Sequence, residues 1–141
     1  MDFDETFFQL FKRMRIEPMR TGLKPFETEI RSGGLRPGNV VELVGASGTG
    51  KSEILMQIMA NCVLPKKWDD VEIGGNEGGV VLFDNDFHFD LFRFSTILEH
   101  RVNASLRSAG HAADLDSLES FIRSCLHRLH IIRSRYLPFF C

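Results

Sequence analysis

The run Asn39-Val40-Val41-Glu42-Leu43-Val44, followed at once by Gly45-Ala46-Ser47-Gly48-Thr49-Gly50-Lys51-Ser52, decides how this chain is read. Its first half is short and mostly apolar, the pattern of a buried strand. Its second half has the spacing of a phosphate-binding P-loop, with the glycines placed to admit a tight turn and then Lys-Ser. At this chain's residue frequencies, a chance match has odds of roughly a few in a thousand. The pattern has a physical reason. A triphosphate must exchange its water for other donors, and a glycine-rich loop at a helix N-terminus supplies converging backbone N–H groups without side-chain bulk. Gly45 and Gly50 stand where a side chain would block the turn or the approach of a phosphate. Lys51 brings positive charge to the β/γ phosphates, and the Ser52 hydroxyl is placed to ligate Mg²⁺. The motif therefore asks for a nucleoside triphosphate with Mg²⁺, held by residues Gly45 to Ser52.

Working outward, Ile54, Leu55, Ile58, Met59, Cys62 and Val63 form a helical stripe that Pro65 ends. Residues 65–79 are polar and glycine-rich and read as a surface loop. Val80-Val81-Leu82-Phe83 reads as a second buried strand, ending in Asp84-Asn85-Asp86. Leu91, Phe94, Ile97, Leu98 and Val102 mark a second helix. Leu115, Leu118, Phe121, Ile122, Cys125 and Leu126 mark a third, with Asp114 available as its cap. Leu129-His130-Ile131-Ile132 is the third strand. Strand, helix, strand, helix, helix, strand predicts an α/β fold with parallel crossovers and a sheet covered by helices on both faces. Before all this, Phe3, Phe7, Phe8, Phe11 and Met14 recur at helical spacing, and turn signals follow at Ser32-Gly33-Gly34 and Pro37-Gly38. The expected organisation is an N-terminal amphipathic helix and linker over 1–25, then the α/β core over 26–141.

Composition sets few limits. The 141 residues suffice for one domain with a small core, and 43% hydrophobic with 26% charged residues is ordinary for a globular protein. A formal net charge of −2 gives no global pull toward nucleic acid or membrane. Between Lys12 and Arg36 seven basic residues face three acids, a pattern read as a solvated face. Cys62, Cys125 and Cys141 are too few and scattered for a disulfide framework or zinc site, and the first two fall on apolar stripes. His127 and His130 have a ligand-like separation, but no cysteine or carboxylate cluster joins them. No apolar run nears the ~20 residues of a membrane span, and the acidic start Met1-Asp2-Phe3-Asp4-Glu5 does not suit a signal peptide; the expectation is no membrane partner.

Hydrolysis asks for more than binding: one carboxylate to polarise water and another on the magnesium side. Asp84 and Asp86 end the second strand, where open α/β sheets place ligands. A small P-loop kinase or NTPase using both as magnesium carboxylates is the alternative reading, with Arg123, Arg128, Arg133 and Arg135 as lid candidates.

The stretch from Ser32 through Gly45 and into the P-loop resembles the lead into the ATPase core of RecA-type recombinases. The segments Val81 to Asp90 and Thr96 to Arg101 are narrower in their likeness, resembling one eukaryotic recombinase paralogue, as do Val63-Leu64-Pro65-Lys66 and Ser117-Leu118-Glu119-Ser120. The resemblance spans roughly residues 30–127. It implies a RecA-like P-loop NTPase fold that binds ATP and Mg²⁺. It places Asp86 where the family has a water-activating glutamate, and Arg93 where it has an arginine against adenine. It also implies a nuclear protein that repairs double-strand breaks by homologous recombination, assembled with other recombinase paralogues and meeting DNA through that complex. The chain departs from the family pattern in ending, at Arg135-Tyr136-Leu137-Pro138-Phe139-Phe140-Cys141, before the strand with the magnesium-side aspartate. The resemblance reads this as a truncated form, a splice variant or a partial gene model, with weak or no ATP hydrolysis.

Overall fold

The computed structural model describes residues 18–29 and 33–133. The helix expected from Phe3 to Met14, much of the basic run, and the segment Arg135–Cys141 lie outside the described residues. In chain order the elements are α1 (Lys24–Glu29), α2 (Lys51–Val63), β1 (Lys67–Trp68), β2 (Val71–Glu72), β3 (Val80–Phe83), α3 (Leu91–Ser108), α4 (Leu115–Leu126) and β4 (Leu129–Ile132). The expected boundary after residue 25 falls inside α1. None of these helices is long and apolar enough to cross a membrane.

The helices form where the apolar spacing places them, and their ends have identifiable stops. Asp90 opens α3 by accepting from the N–H groups of Phe92 and Arg93 at 2.9 and 3.1 Å. The same helix closes with left-handed Gly110, as Gly110 N–H donates to Arg107 and His111 N–H to Leu106, satisfying carbonyls that a bare helix end leaves open. Asp114 caps α4 by accepting from Ser117 N–H at 2.8 Å, as its sequence position suggests. The core is one cluster: Met59, Ala60, Val63 and Leu64 from α2 and the residue after it, Val71 from β2, Phe94, Ile97, Leu98, Val102 and Leu106 from α3, and Leu118, Ile122 and Cys125 from α4. Cys62 and Cys125 are buried free thiols whose pKa burial pushes up, so both behave as small core groups.

Strands β3 and β4 pair in parallel, Val80 opposite Leu129 through Phe83 opposite Ile132, with α3 and α4 forming the crossover between them. Two expectations are corrected here. Residues 39–46 form no strand, and Val40 and Val44 are 95% and 83% exposed. A strand needs a ladder partner, and among the described residues β3 and β4 pair only with each other, so the 39–44 backbone is not laddered to the open edge of either. Among the described residues, helices cover one face of the β3–β4 pair rather than both. Val80 and Leu82 pack on the core, whereas Val81, Phe83 and Ile132 point the other way, 56%, 63% and 43% exposed.

The glycine-rich stretch 65–79 is more than a loop. Lys67-Trp68 and Val71-Glu72 make a two-stranded hairpin around Asp69 and Asp70, both at positive φ as a type I′ turn requires. Trp68 stacks on Phe121 of α4 with ring centroids 4.3 Å apart. Beyond the hairpin, the N–H groups of Asn76, Glu77 and Gly78 donate to the carbonyls of Asn61, Leu64 and Cys62. This polar segment therefore satisfies the C-terminal end of the P-loop helix. The segment before α1 is tied to the same end: Asn61 and Asn76 both donate side-chain N–H to the Arg20 carbonyl at 2.8 Å.

Candidate functional site

The P-loop folds as a closed turn running into α2. Thr49 anchors it, donating from its hydroxyl to the Ala46 carbonyl at 2.8 Å. Gly48 and Gly50 adopt φ of 78° and 83°, the left-handed region that a side chain disfavours by about 1 kcal/mol. At Gly45 a Cβ would stand 2.8 Å from the Thr49 hydroxyl, so a side chain there would displace the group that ties the turn. The Lys51 ammonium lies against the loop, donating to the carbonyls of Gly45 and Ala46 at 2.8 and 2.7 Å. Gly50 caps α2 with no side chain, so no side-chain cap bond closes the N-terminus of the helix. Donors left open there, together with the helix dipole and the Lys51 charge, suit an anion. No heavy atom lies within 4 Å of the Cβ position at Gly48 or Gly50, so the mouth of the cradle is clear for phosphate oxygens. These residues fit a Mg-triphosphate.

Beside the loop lies a cleft of about 360 Å³ lined by Ser52, Leu55 and Met56 of α2 and by residues from Leu82 to Asp90. Its size falls within the range of small-molecule sites. Ser52 and Asp86 both line it, so the structure brings together the hydroxyl and the carboxylate that the motif and the resemblance single out. Asp86 is exposed, and among the described residues no group pairs with its carboxylate.

The other candidates are placed differently. Asp84 is 8% exposed and turned into the fold, where Arg133 Nε donates to it at 2.9 Å and the N–H groups of His88 and Phe89 do so at 3.1 and 3.3 Å. Burial works against its charge, but the Arg133 hydrogen bond and the two amides outweigh it, holding the carboxyl below its ordinary pKa. Arg93 reaches back to the P-loop helix, its Nη2 3.1 Å from Glu53 Oε2. That hydrogen bond is the largest reason the Glu53 carboxyl is also held below its usual range. The lid candidates are engaged elsewhere: Arg123 pairs with Glu119, Arg128 donates to the Val63 carbonyl and pairs with Glu77, and Arg133 holds Asp84. Arg135 lies outside the described residues. Among the described residues no group of three or more His, Cys, Asp or Glu is arranged to hold a metal ion by itself.

Sequence reasoning missed two contributors to this site. Asp90 as the cap of α3 was legible, being a short carboxylate one residue before an apolar stripe. The Asp84–Arg133 pair, 49 positions apart, becomes visible only once the strand register is known. Phe83 and Ile132 are the last pair of the parallel ladder, so the residues following them are neighbours.

An α/β scaffold presenting a P-loop at a helix N-terminus is the class that this fold and site define. The family model described as Rad51 matches residues 12–107, and the chain belongs to the Rad51 family, whose RecA-like core is an α/β P-loop NTPase fold. It is similar to the DNA repair protein XRCC2 homolog of Arabidopsis thaliana, 41% identical over 91 residues, 64% of this chain and 24% of that protein. It is also similar to the DNA repair protein XRCC2 of Mus musculus, 38% identical over 92 residues, 64% of this chain and 31% of the relative. A more distant likeness, 30% identity over 125 residues, is to the DNA repair and recombination protein RadA of Methanoculleus marisnigri, covering 89% of this chain and 33% of the relative. The chain thus spans between about a quarter and a third of the length of these relatives. The narrower likeness carried by Val81 to Asp90 and Thr96 to Arg101 is accordingly to XRCC2 homologues within the Rad51 family.

Proposed function

We propose that this chain is an ATP-binding recombinase paralogue that serves homologous-recombination repair of DNA double-strand breaks through other recombinase paralogues. DNA is reached through that assembly, and its place of action is the nucleus. The observation that carries the reading is the open cradle of Gly45 to Ser52 at an uncapped helix N-terminus, in a chain of the Rad51 family. The names of the similar proteins supply the repair context.

In this reading the open N–H groups of the loop and of the first turn of α2 bind phosphate oxygens. Lys51 would exchange the loop carbonyls for the β/γ phosphates, and Ser52 would hold the metal. Bound Mg²⁺ supplies neutralisation of the charge on the phosphate oxygens. Asp86 orients a water from the cleft wall, but an aspartate is about 1.5 Å shorter than the family's glutamate. A shortfall of that size costs on the order of a hundredfold in rate. The site is better suited to holding nucleotide than to turning it over. Arg93 meets adenine only by releasing Glu53 or by sharing it. The kinase alternative is weakened because Asp84, which lines the same cleft, already accepts from Arg133 and two backbone amides, and Asp90 accepts from the first amides of α3, so neither is as free as Asp86 to meet a metal.

Titration of a fluorescent ATP analogue in Mg²⁺ tests the proposal. Lys51→Ala is expected to abolish saturable binding while the chain still captures a paralogue partner in a pull-down. Undiminished nucleotide binding by the Lys51→Ala protein would sink it.

A further inference from the structure

Residues 84–90 join β3 to α3 and carry Asp86 to the wall of the cleft that Ser52 also lines. One side chain from outside this loop grips it at three places. Arg133 donates from Nε to Asp84 Oδ2 at 2.9 Å and from Nη2 to the Phe89 carbonyl at 3.1 Å, and its guanidinium stands 5.8 Å from the centre of the Phe87 ring. Asp84 completes the hold from within, accepting from the N–H groups of His88 and Phe89. The loop has reason to need holding. Phe87 sits at φ 57°, a left-handed conformation that a bulky residue adopts only when its surroundings impose it. The ladder sets the geometry, since Asp84 N–H donates to the Ile132 carbonyl at 3.0 Å and brings the first residue past each strand side by side.

We propose that Arg133 and Asp84 are positioning residues for the nucleotide site: their clamp fixes the 84–90 loop so that Asp86 is presented at the cleft beside Ser52. This rests on the reading of the cleft as a Mg-nucleotide site. It assigns Asp84 and Arg133, both open as direct participants in phosphate chemistry from sequence, to a supporting role instead. A planar guanidinium can span Asp84 and the Phe89 carbonyl at once, whereas a lysine ammonium has no such fork.

The test uses the full chain and has two arms. Without nucleotide, hydrogen exchange is followed at the His88 and Phe89 amides in wild type and Arg133→Gln. Loss of a charge-assisted hold should speed their exchange about tenfold or more, with the core of α3 unchanged. With nucleotide, a fluorescent ATP analogue is titrated with and without Mg²⁺. Arg133→Gln should lose the Mg²⁺-dependent gain in affinity by the same factor as Asp86→Asn, and the double variant should lose no more than either. Unchanged exchange, or additive losses in the double variant, overturns the proposal. If wild type binds no nucleotide, the proposed function fails, and the exchange arm still decides the clamp. If Arg133→Gln does not fold, Arg133→Lys carries the same exchange prediction with a smaller factor, because it keeps the charge and loses the fork.

Discussion

At the scale of single residues, backbone contact decides which positions tolerate change. Gly75 shows this away from the site. A Cβ there would overlap the Leu64 carbonyl oxygen and lie 2.5 Å from its carbon, where the segment after the hairpin lies on the end of α2. Gly75→Ala is expected to destabilise the fold by about 1–3 kcal/mol, read as a lowered urea midpoint with an unchanged slope. The P-loop turn at the start of α2 was legible, because its pattern is written in consecutive positions. Asp84 was not. Its carboxylate looks the same in sequence whether it faces a metal or an arginine, and only the distant Arg133 decides between them.

Among the elements, α2, α3, α4, β3 and β4 stand where apolar spacing and stop signals put them. Two segments escaped that logic. Residues 39–44 have the composition of a strand, but composition cannot supply the neighbour a ladder needs. The β1–β2 hairpin hid inside a polar stretch, its one clue being Trp68 and Val71 flanking a pair of aspartates. Helix α4 offers a test of local electrostatics. Hydrogen bonds from Ser117, side chain first and then backbone, hold the Asp114 carboxyl below its ordinary value of 3.8. A carboxyl whose pKa is depressed by folding stabilises the fold above its unfolded value and loses that contribution as pH falls through the lowered one. Wild type should therefore lose stability on acidification below about pH 4 more steeply than Asp114→Asn, which keeps an acceptor at the cap without a titrating group. Parallel urea-midpoint curves against pH for the two proteins would refute this.

For the molecule as a whole, the described residues gather their core in one cluster, mostly helical with Val71 of β2, behind the β3–β4 pair. Phe94 lies at its centre, fully buried and tilted against Phe89 with ring centroids 5.6 Å apart. Phe94→Ala should cost about 3–5 kcal/mol in denaturant unfolding. The ring also supports the end of the 84–90 loop, so this variant should weaken nucleotide binding beyond its effect on folding. The cluster lies on one side of β3 and β4, and the other side carries Val81, Phe83 and Ile132 next to edges that no described residue pairs. Such a surface has consequences for the protein's life in the cell as well as for its fold. Bare apolar faces and open edges are what aggregation and quality control act on. A second surface that shielded that face would lengthen the survival of a free chain without adding to its own folding free energy.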